Sequence, residues 1–350
     1  MLSRGHLPYR SPMVATWFFA VAFIVVLMIL VGGMTRLTDS GLSITEWAPV
    51  TGAIPPLSQS DWLSEFAKYK QIPEYQQINK GMSLDEFKVI YWWEWGHRFL
   101  GRLIGLVYFI PMVIFLVRGD MPARLIGRSV LILALGGLQG FIGWWMVSSG
   151  LADRVDVAPE RLMTHLSLAL LILVMLVWAG LDAGSPVSRG RGAVRWQVAG
   201  FALLGLVFVQ SMLGALVAGN DAGMIYNDWP LMNGRLVPLV DWTKGTLHAF
   251  LHDQALVQFN HRMTAYALLV YATVFTVMLY RGTRDPGLRG AALLACLLIW
   301  GQAVLGIATL VSVSHIAFGI AHQLMAAIVL IVTTVLCWRI VRADRVFAHR

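Results

Sequence analysis

The chain carries eight separate runs of about twenty apolar residues, near 13–34, 98–117, 125–147, 162–181, 196–218, 263–280, 288–311 and 317–338. Each is long enough to cross a bilayer core as an α-helix, the structure that pairs every backbone polar group within its own segment. With 57% of its 350 residues apolar, 13% charged and a mean hydropathy of +0.67, the chain is excluded from the water-soluble enzymes. The expected fold is all-α: a polytopic membrane protein of eight transmembrane helices. The first run is longer than a signal-peptide core and ends in Gly32, Gly33 and Thr35 without a cleavage pattern, so it reads as a retained helix.

Orientation follows from the basic residues, which are held on the cytoplasmic side of a membrane. With the N-terminus inside, the inner segments collect fifteen bases, among them Arg4, Arg10, Arg118, Arg124, Arg128, Arg189, Arg191 and Arg195, against four acids, Asp120, Asp182, Asp285 and Asp344. Both termini are then cytoplasmic. The bases are scattered singly, so the net charge of +8 makes no stripe for a phosphate backbone and nucleic acid is not an expected partner. Two long outer loops, 35–96 and 219–259, put the extramembrane mass on the opposite face. In the first, Trp62, Phe66 and Tyr69 at helical spacing predict an amphipathic helix from Ser60 to Tyr69 resting at the membrane interface.

The first half of the chain repeats in the second. Gly32, Asp39, Gly41, Trp47 and Pro56 recur as Gly214, Asp221, Gly223, Trp229 and Pro238 at a constant offset of 182, and His97-Arg98 recurs as His261-Arg262. A Gln-x-x-x-Gly pattern appears three times, at Gln139 and Gly143, Gln210 and Gly214, and Gln302 and Gly306. Every even-numbered span carries one histidine near its outer end: His97, His165, His261 and His322. These features predict two tandem pseudo-repeated four-helix bundles, an N-terminal one over 1–184 and a C-terminal one over 185–350.

Ionisable residues inside a membrane are costly and point to function. Four histidines at repeat-related places, without clustered Cys, Asp or Glu and without an i, i+4 histidine pair, do not suit zinc or copper. They suit heme, whose iron one histidine from each of two facing helices can clamp between them. Two hemes are then expected, one per bundle, with Arg98 and Arg262 directly after their histidines as propionate partners. The halves differ where Glu94 stands one turn before His97, because the matching position before His261 is Gln258. A carboxylate beside the ring can take a proton and an amide cannot, so the first half is the expected reactive site. His6, His248, His252, His315 and His349 read as solvated or interfacial, and Cys296 and Cys337 as packing thiols.

Gly33-x-Thr35-Arg36-Leu37-Thr38-x-Ser40-Gly41-Leu42-Ser43, Trp47-x-Pro49, Gly52, Pro55-Pro56, Glu94-Trp95-Gly96-His97-Arg98, Phe259-Asn260-His261-Arg262 and Ala321-His322-Gln323 together resemble the heme A synthase family over about residues 13–340. The resemblance implies an oxidoreductase that turns a ring methyl of heme O into the formyl group of heme A, through hydroxylated intermediates, for cytochrome c oxidase. It implies His97 and His165 as ligands of the substrate heme O, Glu94 as the essential acid, and His261 and His322 as axial ligands of a resident heme b. Partners implied are membrane lipid, heme O synthase and an electron-transfer protein. The long outer loops lack the cysteine pairs of some members, which is similar to the cysteine-free branch of alpha-proteobacteria and mitochondria. An N-terminus that reaches the first span almost at once points to a bacterial inner membrane. The rival reading is a diheme b-type electron carrier that converts no substrate; it would stack its hemes in opposite leaflets, whereas here the histidines share one layer. A transporter would require broken or charged mid-membrane helices.

Overall fold

The computed structural model describes residues 11–186 and 193–343. Arg4, Arg10, Arg189, Arg191, Asp344, Arg345, Arg350, His6 and His349 lie outside the described residues. Among those described, regular structure is helical throughout: α1 (Pro12–Leu37), α2 (Gln59–Tyr69), α3 (Pro73–Gln77), α4 (Leu84–Arg118), α5 (Ala123–Val147), α6 (Pro159–Gly184), α7 (Val194–Gly219), α8 (Thr246–His252), α9 (Gln254–Gly282), α10 (Pro286–Val311) and α11 (Ile316–Arg342). Eight of these, α1, α4, α5, α6, α7, α9, α10 and α11, are long and apolar enough to cross a bilayer. The chain is a polytopic membrane protein.

Helix starts are written in local chemistry. Ser83 and Glu86 form a capping box at the head of α4, with the Ser83 hydroxyl accepting from the Glu86 N–H and the Glu86 carboxylate accepting from the Ser83 N–H. Ser58 and Asp61 do the same for α2, and the Asp253 and Asp285 carboxylates cap α9 and α10. Gly119, at φ 71°, ends α4 in the left-handed conformation that a residue with a Cβ adopts at a cost.

These caps correct two expected boundaries. The outer loops end at Ser83 and Asp253 rather than at 96 and 259, because α4 and α9 continue beyond their apolar runs. His97 therefore lies well inside α4 and not at its first turn. The added outer turns of α4 carry Phe87 and Tyr91, and α2 folds down on them: Phe66 stacks on Phe87 at 4.9 Å and Trp62 meets Tyr91 edge-on at 5.0 Å. Phe66, Tyr69, Phe87 and Tyr91 join Leu42, Ile72, Val147 and Val157 in a buried cluster of their own. The amphipathic helix thus has its apolar face covered by protein.

The spanning helices pack in two rings. α1 touches α4 and α6, and α5 lies against both α4 and α6; in the second half α7 touches α9 and α11, and α10 lies against both α9 and α11. The histidine-bearing helices of each ring, α4 with α6 and α9 with α11, thus stand diagonally opposed. The rings meet where α6 lies along α7 and α11, and where α1 meets α11. Bilayer lipid is as apolar as leucine, so close packing of small residues has to hold the helices of each ring together. The buried Ala15, Ala22, Ala179, Gly180 and Ala183 bring α1 and α6 together, with the Phe19 ring against Gly180. Gly200 of α7 receives Ile340 and Cys337 of α11.

Candidate functional site

Each of the four membrane histidines sits against a glycine on the spanning helix that precedes it. A Cβ built on Gly143 would stand 2.9 Å from Cε1 of His165, one on Gly306 would stand 2.8 Å from Cε1 of His322, and one on Gly214 would stand 3.2 Å from Cε1 of His261. On Gly32 it would stand 3.0 Å from Nε2 of His97. All four contacts are at or below the distance that ordinary side chains tolerate, so the glycines are what admits the imidazoles.

Three of the histidines have a second partner on that helix, one turn before the glycine. Nε2 of Gln139 donates to the His165 carbonyl at 3.0 Å and lies 3.1 and 3.3 Å from the two ring nitrogens. Gln210 holds His261 in the same way, at 3.0 Å from the carbonyl and 3.0 and 3.3 Å from the ring nitrogens. Gln302 donates to the His322 carbonyl at 3.0 Å and stands 3.3 Å from Nε2. The Gln-x-x-x-Gly pattern noted in the sequence is therefore a histidine seat. The matching place before Gly32 is Met28.

Glu94 is 3% exposed and fully engaged. Its Oε2 accepts from the Ser43 hydroxyl and the Ile44 N–H, both at 2.8 Å, and its Oε1 accepts from Arg98 Nη2 at 2.6 Å and Nε at 3.0 Å. Arg98 reaches on to the carbonyls of Ile44 and Glu46, fastening the outer loop above His97. Gln258 occupies the equivalent cradle with reversed polarity. Its Nε2 donates to the carbonyls of Ala222 at 2.6 Å and Tyr226 at 3.2 Å, while its Oε1 accepts from Arg262. Arg262 also binds the carbonyls of Tyr226, Asp228 and Leu231.

The other outer arginines are tied down as well. Arg36 bridges Asp39, Asp156 and Asp221 at 2.8–2.9 Å, joining the outer loops of both halves. Burial raises the Asp156 carboxyl above its usual range, and Arg36 opposes that shift. Arg102 donates to the carbonyls of Ala48 and Pro49, and Arg161 to that of Trp145. His248 and His252 lie ring to ring at 4.7 Å in the second loop, with His252 3.7 Å from Glu160. The His315 ring accepts from Ala317 N–H at the head of α11. Cys296 and Cys337 are buried thiols, the latter donating to the Gly200 carbonyl. Beneath the first loop, Glu74 is 5% exposed, and burial pushes its carboxyl up to about 8.

The donor set fits heme rather than a bare ion. Among the described residues no three His, Cys, Asp or Glu side chains gather to hold a metal ion; a heme, which needs only one histidine from each of two facing helices, would find its axial ligands among the four. Some of the buried polar atoms without a hydrogen-bond partner lie at the histidine seats and beside them: Oε1 of Gln139, Gln210 and Gln302, Nδ1 of His322 and Nε of Arg262. An open groove of about 670 Å³, bounded by Thr45–Thr51 and Trp144, adjoins the first ring on its outer side.

Sequence reasoning identified the histidines, the arginines after them and the Glu94/Gln258 contrast. It missed the glycine and glutamine seats and the Ser43–Ile44 cradle; the thrice-repeated Gln-x-x-x-Gly was the available signal for the seats.

Comparison with known proteins places these features in context. Residues 15–334 match the family described as cytochrome oxidase assembly protein, COX15-CtaA. The chain is similar to the heme A synthase of Caulobacter vibrioides, 52% identical over 334 residues that cover 95% of this chain and 97% of that protein. It is similar too to the heme A synthase of Maricaulis maris, 49% identical over 343 residues and covering 97% and 99% of the two chains. That of a Bradyrhizobium species is 52% identical over 320 residues, 90% and 87% of the two chains.

Proposed function

The chain belongs to the heme A synthase family of cytochrome oxidase assembly proteins, an oxidoreductase that converts heme O to heme A, and we propose how its two helical rings divide that work. The N-terminal ring (α1, α4, α5, α6), within 1–184, holds heme O as substrate between His97 and His165. The C-terminal ring (α7, α9, α10, α11), within 185–350, holds a resident heme b between His261 and His322. The observation that carries this reading is the fourfold seat: one histidine per ring from each of two diagonal helices, every one admitted by a glycine.

A heme b bound there would supply one-electron transfer near the reaction. The chain's own residues do the rest. Apolar helices admit the substrate from the lipid, since its isoprenoid tail is as apolar as the bilayer. Glu94 lies one turn from His97 and takes the proton released as the ring methyl is oxidised, a role closed to the Gln258 amide. Arg98 and Arg262 brace the outer loops over the two rings and stand at the propionate end, where the unpartnered Nε of Arg262 has a hydrogen bond to give. The fifteen-to-four excess of inner bases supports cytoplasmic termini, and the relatives support a bacterial inner membrane as the location. Heme O synthase is the natural donor of substrate, and an electron-transfer protein is the redox partner of the second ring.

Glu94→Gln tests the assignment. Heme extracted from cells making this variant is expected to be heme O, with the b-type spectrum of the second ring intact; full heme A production would remove Glu94 from the chemistry.

A further inference from the structure

The two rings differ in one seam. Of the helix contacts that close them, the one between α4 and α5 is the sparsest, whereas their counterparts α9 and α10 pack along each other. Glu94, Arg98 and Gly105 fall on one face of α4, and Gly137, Gly140 and Trp144 on one face of α5. These faces are turned toward each other, since Cζ of Arg98 lies 5.9 Å from the centre of the Trp144 ring, while Gln139 reaches the other way, to His165 of α6. Facing glycines ordinarily let membrane helices touch. Here they leave a gap: a Cβ on Gly105, Gly137 or Gly140 would meet nothing within 4 Å among the described residues.

The seam is fastened at both ends. At the inner end the Tyr108 hydroxyl donates to the Ser129 carbonyl at 2.9 Å. At the outer end the first loop bridges it, with Trp47 stacked on Trp144 at 6.0 Å and Arg102 holding the carbonyls of Ala48 and Pro49. Between Trp144 and Ser129 helix α5 rises roughly 22 Å, so the slot is long, narrow and apolar. In the second ring it is filled. Leu269 stands as far from His261 as Gly105 does from His97, and Trp300 as far from Gln302 as Gly137 does from Gln139. Trp300 also crosses that seam, its Nε1 donating to Oγ1 of Thr273 on α9 at 3.1 Å.

We propose that the slot between α4 and α5 binds the isoprenoid chain of the substrate heme. This rests on the assignment of the substrate to the first ring and adds a second point of recognition to it. Gly140 lies three residues from Gly143, which seats His165, so the slot is continuous with the place of the macrocycle. The ring that would hold heme b, which has no such chain, is the ring whose slot is filled.

The test separates chain from macrocycle. Full-length protein is made in cells without heme O, so that the first ring is empty, and is titrated in detergent with heme O and with free heme b while the visible absorbance is followed. Gly105→Leu combined with Gly137→Trp imports the filling of the second ring. It is expected to weaken heme O binding about tenfold or more and to change heme b binding at the first ring by less than about twofold. Heme O affinity equal to that of the wild type overturns the proposal, as it would if the slot holds lipid alone. If the variant binds neither heme, the wild type decides: heme O with a photoreactive diazirine in its chain should label peptides of α4 and α5. Label in α1, in α6 or in lipid alone overturns the slot, and label confined to the second ring overturns the substrate assignment with it. Failure of the ligand assignment has its own signature, since His97→Ala would then leave heme O binding unchanged.

Discussion

Above each helical ring an outer loop is bolted to a histidine-bearing helix by one buried side chain and the arginine that follows it four residues later. In the first ring the bolt is Glu94 with Arg98, and in the second it is Gln258 with Arg262. The arginines behave alike, each reaching two or more loop carbonyls. The loops do not. The first turns the N–H of Ile44 and the hydroxyl of Ser43 toward Glu94, and the second turns the carbonyls of Ala222 and Tyr226 toward Gln258. Ile44 and Tyr226 are the same position at the 182-residue offset, so the backbone there has adjusted to the side chain it meets. A carboxylate can only accept and an amide can do both. The contrast teaches that the acid of the first ring is built in by its surroundings, and that the neutral residue of the second is equally fixed.

Exchanging the bolts is the most direct way to break this comparison. Glu94→Gln should lower heme A formation by about 10²- to 10⁴-fold, the range for loss of a general acid or base, measured by chromatography of extracted heme. Ser43→Ala removes one loop donor and leaves the carboxylate, so it separates chemistry from loop fastening: activity within a few-fold of wild type assigns the large loss to the acid. Next in size are the glycine seats. Gly143→Ala and Gly306→Ala would force a Cβ to within 2.9 and 2.8 Å of an imidazole, and each should empty its own ring of heme while sparing the other. Gly214→Ala, with 3.2 Å available, should lose less, as visible absorbance at fixed protein concentration will show.

Smaller again is Gln258→Glu, which sets a carboxylate against two carbonyls that now have no donor. We expect a destabilisation of about 1–3 kcal/mol, read as a fall in melting temperature that the wild-type first ring does not share. The last effect, read as a slope with pH and not as a loss at one pH, concerns Glu74 under the first loop. Its carboxyl is held at about 8 by burial, against 4.5 when free, so between those values the unfolded chain gives up a proton that the folded chain keeps. Stability from this group is complete below about 4.5 and declines as pH rises toward 8. Glu74→Gln should flatten the fall in melting temperature over that window; an unchanged slope would assign it to other groups.

Much of this was legible in the sequence, for reasons particular to each part. The spans were readable because the bilayer imposes a length and a composition, and helix α2 emerged within one residue of its expected start because Trp62, Phe66 and Tyr69 mark one face. The same rule hid the outer turns of α4. Asp85, Glu86, Lys88 and Glu94 interrupt the apolar run there, yet the Ser83 capping box and the aromatic cluster with α2 extend the helix well beyond that run. The histidines were legible as costly residues in an apolar setting. Their seats were not, since a glycine or glutamine on one helix does not declare which residue of another it meets.

The division of labour between the rings is tested most directly by counting and identifying the hemes bound to purified protein after each single histidine-to-alanine change. His261→Ala and His322→Ala should each abolish heme b and leave heme O in place, and His97→Ala and His165→Ala should each do the reverse. Loss of the same heme from all four variants, or heme b retained in both His261→Ala and His322→Ala, would contradict it.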